Sequence, residues 1–400
     1  MKALQLYAGP TARAAIAANG LQPGDIGTIP AAAGGPKGLL LGPLDRFLFG
    51  EWLPRSTQPI DLVGASIGAW RMATACLNGS VAAFERLEHD YIHQHYALAP
   101  GQKRPTAAFV SETFGKNLQA FYGGRVGEVL NNPRFALHIV TSRGRHLLNT
   151  EHALRTPLGY AGAFFTNAVR RKAMGAWLER VVFSSTGRAC EGAATDLAPL
   201  PFATNDYRTR RVALSEANFN PALQASCSIP FVLQAVHNIP GAPPGAYWDG
   251  GITDYHLHLN YPAAQSATKN IAAYADAAGA TGTKGTQYPQ EIEDAKGKAN
   301  IVLYPHFQKQ VVPGWLDKSL KWRHGPTPFL DTMLLLAPNP EWVKTLPNGK
   351  IPDRTDFTHY GQDLAGRVKA WTAATSASQQ LADEFAQWLE RPDPSAILPI

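Results

Sequence analysis

Leu62-Val63-Gly64-Ala65-Ser66-Ile67-Gly68-Ala69-Trp70 is a short apolar run that breaks at a serine between two glycines and continues with helical spacing. With Ile60 and Asp61 ahead of it, the stretch reads as a strand over Ile60–Val63, a turn at Ser66 and a helix from Ala69 to Leu77 that stops at Asn78-Gly79. Glycines at Gly64 and Gly68 remove two β-carbons, so the chain can turn sharply and leave the serine hydroxyl clear. The same design stands upstream. Ile26 to Ala33 reads as a buried strand, Gly34-Gly35-Pro36-Lys37-Gly38 as a loop, and Leu39 to Phe49 as a largely buried helix. Two such units in succession predict an α/β fold with a central, mostly parallel sheet covered by helices. Functional groups in these sheets gather where the strands end, so Ser66 and the glycine loop are expected on one rim.

Further along, the patterning predicts helices over Pro10–Ala18 and Ser80–Tyr96 and a strand over Phe135–Thr141. An amphipathic helix over Gly159–Glu179 follows, then strands at Glu179–Ser185 and Arg210–Ser215 and a small-residue helix at Asn220–Phe231. Ala246-Tyr247-Trp248-Asp249-Gly250-Gly251 is a short aromatic strand ending on an acid and two glycines. Residues 20–262 are therefore read as the core and 263–300, rich in Ala, Gly, Thr and Lys, as a surface insertion with a short helix near Asn270–Ala277. Residues 301–400 supply a last core strand at Asn300–Tyr304 and a C-terminal helical extension packed on the core, with helices over Tyr360–Arg391.

Composition narrows the class. Of 400 residues, 45% are hydrophobic and 17% charged, which fits a globular chain. No apolar run is long enough for a transmembrane segment. Lys and Arg outnumber Asp and Glu by 37 to 31, a surplus too dilute to point to nucleic acid. Cys76, Cys190 and Cys227 are far apart and form no C-x-x-C, which reads as free thiols in a reducing compartment, and the first residues lack a signal-peptide core. A cytoplasmic protein is the expectation.

Among candidate chemical groups, a glycine loop between strand and helix presents backbone N–H groups at a helix start, where anions or oxyanions are stabilised. It lacks the spacing of a nucleotide-binding P-loop or of G-x-G-x-x-G. Asp249, emerging from a strand beside glycines, can approach a neighbouring loop closely, and partial burial would raise its base strength. His89 and His93 share a helical face with His95 nearby, but without H-E-x-x-H they read as solvated residues, so no metal or other cofactor is expected.

In order and spacing, Gly34-Gly35-Pro36-Lys37-Gly38, Gly64-Ala65-Ser66-Ile67-Gly68 and Asp249-Gly250-Gly251 resemble the patatin-like phospholipases, with their G-G-G-x-K/R-G loop, G-x-S-x-G and D-G-G/A. Ala225-Ser226-Cys227-Ser228-Ile229-Pro230 also looks like that family's small-residue helix ahead of the aspartate strand. The resemblance covers about residues 26 to 259. It implies a three-layer α/β/α fold and a lipid acyl hydrolase with Ser66 as nucleophile, Asp249 as base and Gly34 to Gly38 as oxyanion hole. Ala33 stands where the family's first glycine is expected, a change that leaves the Gly34 and Gly35 N–H donors in place. Lys37 would hold the loop in shape or add positive potential.

Two other readings remain open on the sequence. A Ser–His–Asp esterase would take Ser66, an acid such as Asp254 and His306 in chain order. A catalytically idle acyl-lipid binding protein would use the same cavity without chemistry. Two basic, aromatic stretches, the Gly159–Glu179 helix with Arg170, Arg171 and Lys172 and the 307–336 segment with Trp315, Lys318, Lys321, Trp322 and Arg323, suit either a packed core or a lipid surface.

Overall fold

The computed structural model describes residues 1–97, 102, 104–186, 197, 199–266 and 300–400. Cys190, the helix expected near 270–277 and nearly all of the 263–300 insertion lie outside the described residues. The strands are β1 (Leu4–Ala8), β2 (Ile26–Ala31), β3 (Ile60–Ala65), β4 (Phe135–Gly144), β5 (Leu178–Ser184), β6 (Thr209–Ala213), β7 (Val236–His237), β8 (Ala246–Asp249), β9 (Ile301–Pro305), β10 (Met333–Pro338) and β11 (Ile397–Pro399). They form one mixed sheet in the order β11-β1-β10-β9-β2-β3-β4-β5-β6, with β8 on β4 and β7 on β8. From β10 through β9, β2 and β3 to β4 every pairing is parallel, as the two strand–turn–helix units predict. Direction reverses at β1 and β5, and β8 also runs antiparallel to β4.

Alternate residues of each central strand feed two separate cores, which is why these strands read as continuous apolar runs. Leu62, Leu137 and Leu303 join a core with the helices Ile67–Ala75, Ser80–His93, Ala107–Tyr122 and Glu216–Cys227. On that side Trp70 meets Phe114 and Phe121 edge to face, with ring centroids 5.4 and 6.0 Å apart. Val63, Val140 and Val302 face the opposite way, against Leu257, Leu259, Phe307, Val311 and Val312. Those covering residues belong to chain without regular helix. This part of the second face is thus covered without regular helix, while helix Arg155–Val169 packs on Leu178 and Trp248 further along the sheet.

The carboxyl-terminal hundred residues do more than pack outside the core. Helices Leu364–Ala377 and Gln379–Glu390 fall in the expected range, a further helix Thr355–Tyr360 precedes them, and β10 and β11 enter the sheet and sandwich β1 between them. Glu384 accepts the Ala3 and Leu4 N–H groups at 3.0 and 2.8 Å, tying the last helix to the first strand. The helix expected over Gly159–Glu179 is instead Arg155–Val169 followed by a 3-10 turn Arg171–Ala176, with β5 already under way at Leu178. Arg170 leaves helical geometry, and the next residue, Arg171, pairs with the buried Asp317 at 3.0 Å.

Close approach of backbone explains the glycines around Ser66. A β-carbon on Gly68 would stand 1.9 Å from the Ala31 carbonyl oxygen, and one on Gly64 2.4 Å from the Ala69 α-carbon. Gly68→Ala should therefore destabilise the protein by about 1–3 kcal/mol or more. Gly325→Ala, whose added carbon meets nothing within 4 Å, serves as the control. Thermal unfolding checks this, and equal midpoints for the two variants would contradict the packing described.

Candidate active site

β4 is the element that assembles the site. Its 138–144 segment pairs with β5 on one edge, leaving the other edge to two strands that meet end to end. β3 runs up that edge until Ala65 lies opposite Val140, and β8 runs down it until Asp249 lies opposite Thr141. Adjacent residues of one strand thus bring the ends of β3 and β8 together, and with them Ser66 and Asp249, which are 183 positions apart in sequence. The Ser66 hydroxyl donates to Asp249 Oδ2 at 2.7 Å, and Asp249 Oδ1 accepts the Gly251 N–H at 2.7 Å. A β-carbon on Gly250 would lie 2.0 Å from the Val140 carbonyl oxygen, so the aspartate strand can turn away here only with glycine.

Ser66 carries φ 56° and ψ −129°, a backbone conformation that costs a non-glycine residue about 1–3 kcal/mol. Several bonds hold it there. Its N–H donates to Ser226 Oγ at 2.9 Å, whose own hydroxyl donates to the Val140 carbonyl at 2.7 Å. The Ser66 carbonyl accepts the Ala69 N–H at 2.9 Å at the start of the following helix. The end of helix Glu216–Cys227 also braces the aspartate, since the Asp249 N–H donates to the Ser228 carbonyl at 2.9 Å. Ser226 is a working residue that the sequence reading passed over. Its only sequence signal is a small hydroxyl within a small-residue helix.

The glycine loop lies against this turn. Gly35, at φ 57°, lines a cavity of about 530 Å³ together with Ser66 and Ile67. The backbone N–H groups of Gly34, Gly35 and Ile67 make no hydrogen bond to any described residue. Ile67 follows the serine at a helix start, where the first N–H groups lack intrahelical partners, and the residue-by-residue reading did not single it out. Pro36 has no N–H and cannot donate, a correction to its place in the expected donor set. Gly38 packs on Ile67, a β-carbon there standing 2.9 Å from the Ile67 side chain. Lys37 Nζ sits 5.1 Å from the centroid of Phe307, whose ring lies against Gly34. Ala33, at the departure from the glycine pattern, is accommodated by Gly251, whose missing β-carbon would come within 2.6 Å of the Ala33 methyl.

A buried ion pair fixes loop and nucleophile relative to each other. Arg71, on the Ser66 helix, binds both oxygens of Asp45 at 2.7 Å, and Asp45 lies on the helix Gly42–Phe47 that continues the loop. Burial pushes the Asp45 carboxyl above its ordinary range, against the pull of Arg71. Asp249 is treated similarly. Burial raises its carboxyl, while the Ser66 hydroxyl, Arg354, the Gly251 N–H and Lys318 draw it partway back. Lys37 is lowered, chiefly by burial, and Lys318 is lowered to about 8 by burial and by the neighbouring Arg354 and Lys37.

Other candidates lie elsewhere. Asp254 is gripped by Arg180 at 2.6 and 2.7 Å, and despite burial Arg180 and Arg171 hold its carboxyl below the usual range. His306 is buried, directs Nδ1 at the Gln308 carbonyl, and is pushed down to about 3 by burial. Neither is bonded to Ser66, so the Ser66–Asp254–His306 triad is not formed. His89 and His93 stack on an exposed helix face at 4.2 Å, and no group of three metal-binding side chains occurs among the described residues. Cys76 and Cys227 are free and buried. No described helix is long and apolar enough to cross a membrane.

No protein-family model matches the chain and no curated protein matches it. Ser226→Ala would leave the Ser66 N–H and the Val140 carbonyl without their buried partner, at a cost of about 1–3 kcal/mol. The expected result is a lowered unfolding midpoint. Ser226→Thr, which keeps the hydroxyl, should restore more of it than Ser226→Cys.

Proposed function

We propose that the protein hydrolyses carboxylic esters of lipids through a Ser66–Asp249 dyad, a patatin-like phospholipase or esterase chemistry. The observation that carries this reading is the 2.7 Å hydrogen bond from the strained Ser66 hydroxyl to a buried carboxylate. Asp249 accepts the serine proton as Oγ attacks the ester carbonyl, and the alcohol leaves with that proton. Water then attacks the acyl-enzyme, with Asp249 as base again, releasing the acid and restoring the serine. Negative charge on the tetrahedral oxygen meets the unpaired Gly35 and Ile67 N–H groups beside Ser66, with Gly34 as a third donor in the same loop. The apolar cavity beside Ser66, walled by Val110, Phe114, Ile229 and Leu233, suits an alkyl chain.

Ser66→Ala and Asp249→Asn should each lower ester turnover by about 10³-fold or more, measured on a panel of acyl esters and phospholipids. Full activity in either folded variant would contradict the dyad. Catalysis requires ionised Asp249, whose carboxyl burial raises, so the acid limb of kcat/KM should lie above the ordinary aspartate value of about 3.9. Ionisation costs the folded state more than the unfolded chain. Stability from this group therefore falls as pH rises from the unfolded value through the raised folded one. Asp249→Asn escapes that loss, and its midpoint at neutral pH should be no lower than the parent's.

The surface around the cavity mouth supports presentation to a lipid interface. Leu154, just ahead of helix Arg155–Val169, and Leu158, Phe165 and Val169 on it form an exposed row, with Phe165 68% and Val169 87% exposed. Phe231, 63% exposed, touches Tyr160 of that helix with ring centroids 6.1 Å apart and also lines the cavity. Arg155, Arg170 and Lys172 flank the row. Co-sedimentation with anionic vesicles is expected for the parent, and the Phe165→Ser/Val169→Ser double variant should bind about tenfold more weakly. Parent protein that stays in the supernatant would remove the interfacial part of this reading.

A further inference from the structure

The cavity beside Ser66 has a charge imbalance that ester hydrolysis alone does not require. Its charged lining residues include Arg104, Arg354 and Arg367, and neither aspartate nor glutamate is among the described lining residues. Arg354 Nε lies 3.4 Å from where a β-carbon on Gly35 would stand, placing the guanidinium beside the glycine loop. That guanidinium makes no hydrogen bond or ion pair with any described residue. The acids nearest in sequence are already engaged, because Lys350 binds Asp353 at 2.8 Å and Asp356 at 2.6 Å. Arg367 is held by the Gln94 carbonyl and by the faces of Phe357 and Trp371, at 4.6 and 4.8 Å, yet its buried Nε has no partner. The buried indole N–H of Trp70, on the same lining, has none either.

A wall that offers unmet donors and positive charge beside an apolar body matches one kind of ligand. A ligand that supplies negatively charged oxygens answers the unpaired Arg354 guanidinium with charge-assisted bonds. A neutral ester offers its carbonyl to the oxyanion donors and leaves Arg354 unanswered. We infer that the cavity selects an ester whose alkyl body carries an anionic phosphate or carboxylate group, and that Arg354 reads that charge. Arg104 and Arg367 add positive charge on the same lining. This rests on the hydrolase reading for its substrate, but the recognition of an anionic amphiphile stands on the cavity itself.

The test compares two matched substrates, decanoylglycerol phosphate and uncharged decanoylglycerol, with the parent, Arg354→Gln and Arg354→Lys. The parent should favour the phosphate ester in kcat/KM by about tenfold or more. Arg354→Gln should collapse that ratio about tenfold, chiefly through KM, and Arg354→Lys should retain part of it. Because Arg354 also lies in the field of Asp249, the ratio is the readout and any shared loss cancels. Equal losses on both substrates would overturn the inference by assigning Arg354 to the reacting carbonyl, and an unchanged ratio would overturn it too.

A binding arm separates this inference from the hydrolase reading. Titration with decyl phosphate, decanoate, decanol and inorganic phosphate needs no turnover. Decyl phosphate or decanoate should bind at least about tenfold more tightly than decanol, lose that margin in Arg354→Gln, and far exceed inorganic phosphate. Whichever of the two anions binds more tightly identifies the group recognised. Decanol binding as tightly as both anions would overturn the inference, whereas absent hydrolysis with intact anion selectivity would overturn only the hydrolase reading.

Discussion

One edge of β4 determines where the chemistry sits. Because β5 occupies the other edge, β3 and β8 must share this one, and they meet head-on where Val140 gives way to Thr141. Two chain ends arriving from opposite directions leave their terminal residues in contact. The Ser66–Asp249 hydrogen bond follows from that register, and a one-residue slip of either strand would turn the terminal side chain to the opposite face of the sheet. The buried Arg71–Asp45 pair extends the same constraint to the glycine loop, because breaking it would strand a charge at a cost of about 3–5 kcal/mol.

Strain and unmet polarity concentrate around this junction. Ser66 has a left-handed φ, Asp249 is a buried carboxylate, and the N–H groups of Gly35 and Ile67 lack partners among the described residues. Each feature is unfavourable in isolation, and the continuous cores on both faces of the sheet offset them. For the reaction proposed, unpaired donors on the same cavity wall as Ser66 would need little reorganisation as charge develops. Arg354 extends that pattern beyond the dyad, as a cation whose acids nearest in sequence are bound to Lys350.

Much of this was legible in the residues. The glycines of the serine turn and of the aspartate strand are read from sequence because backbone approaches within 2.4 Å of their would-be β-carbons at Gly64, Gly68 and Gly250 admit nothing larger. The central strands are legible because burial on both faces writes continuous apolar runs. Strand direction is not, since β1 and β5 reverse through long-range pairings that no local pattern records. Arg171 illustrates another limit. It pairs with Asp317, 146 positions away, just past the end of a helix that periodicity alone would carry to Glu179. Ser226 and Ile67 were hidden for a different reason, in that one acts through an ordinary hydroxyl and the other through its backbone.

Activation of Ser66 by Asp249 is the centre of this account, and covalent labelling measures it most directly. Intact-mass analysis after incubation with a fluorophosphonate should show a single adduct, mapped by peptide sequencing to Ser66. Its rate of formation should drop by about 10²-fold or more in Asp249→Asn. An unlabelled Ser66, or labelling at the same rate in both proteins, would contradict the dyad.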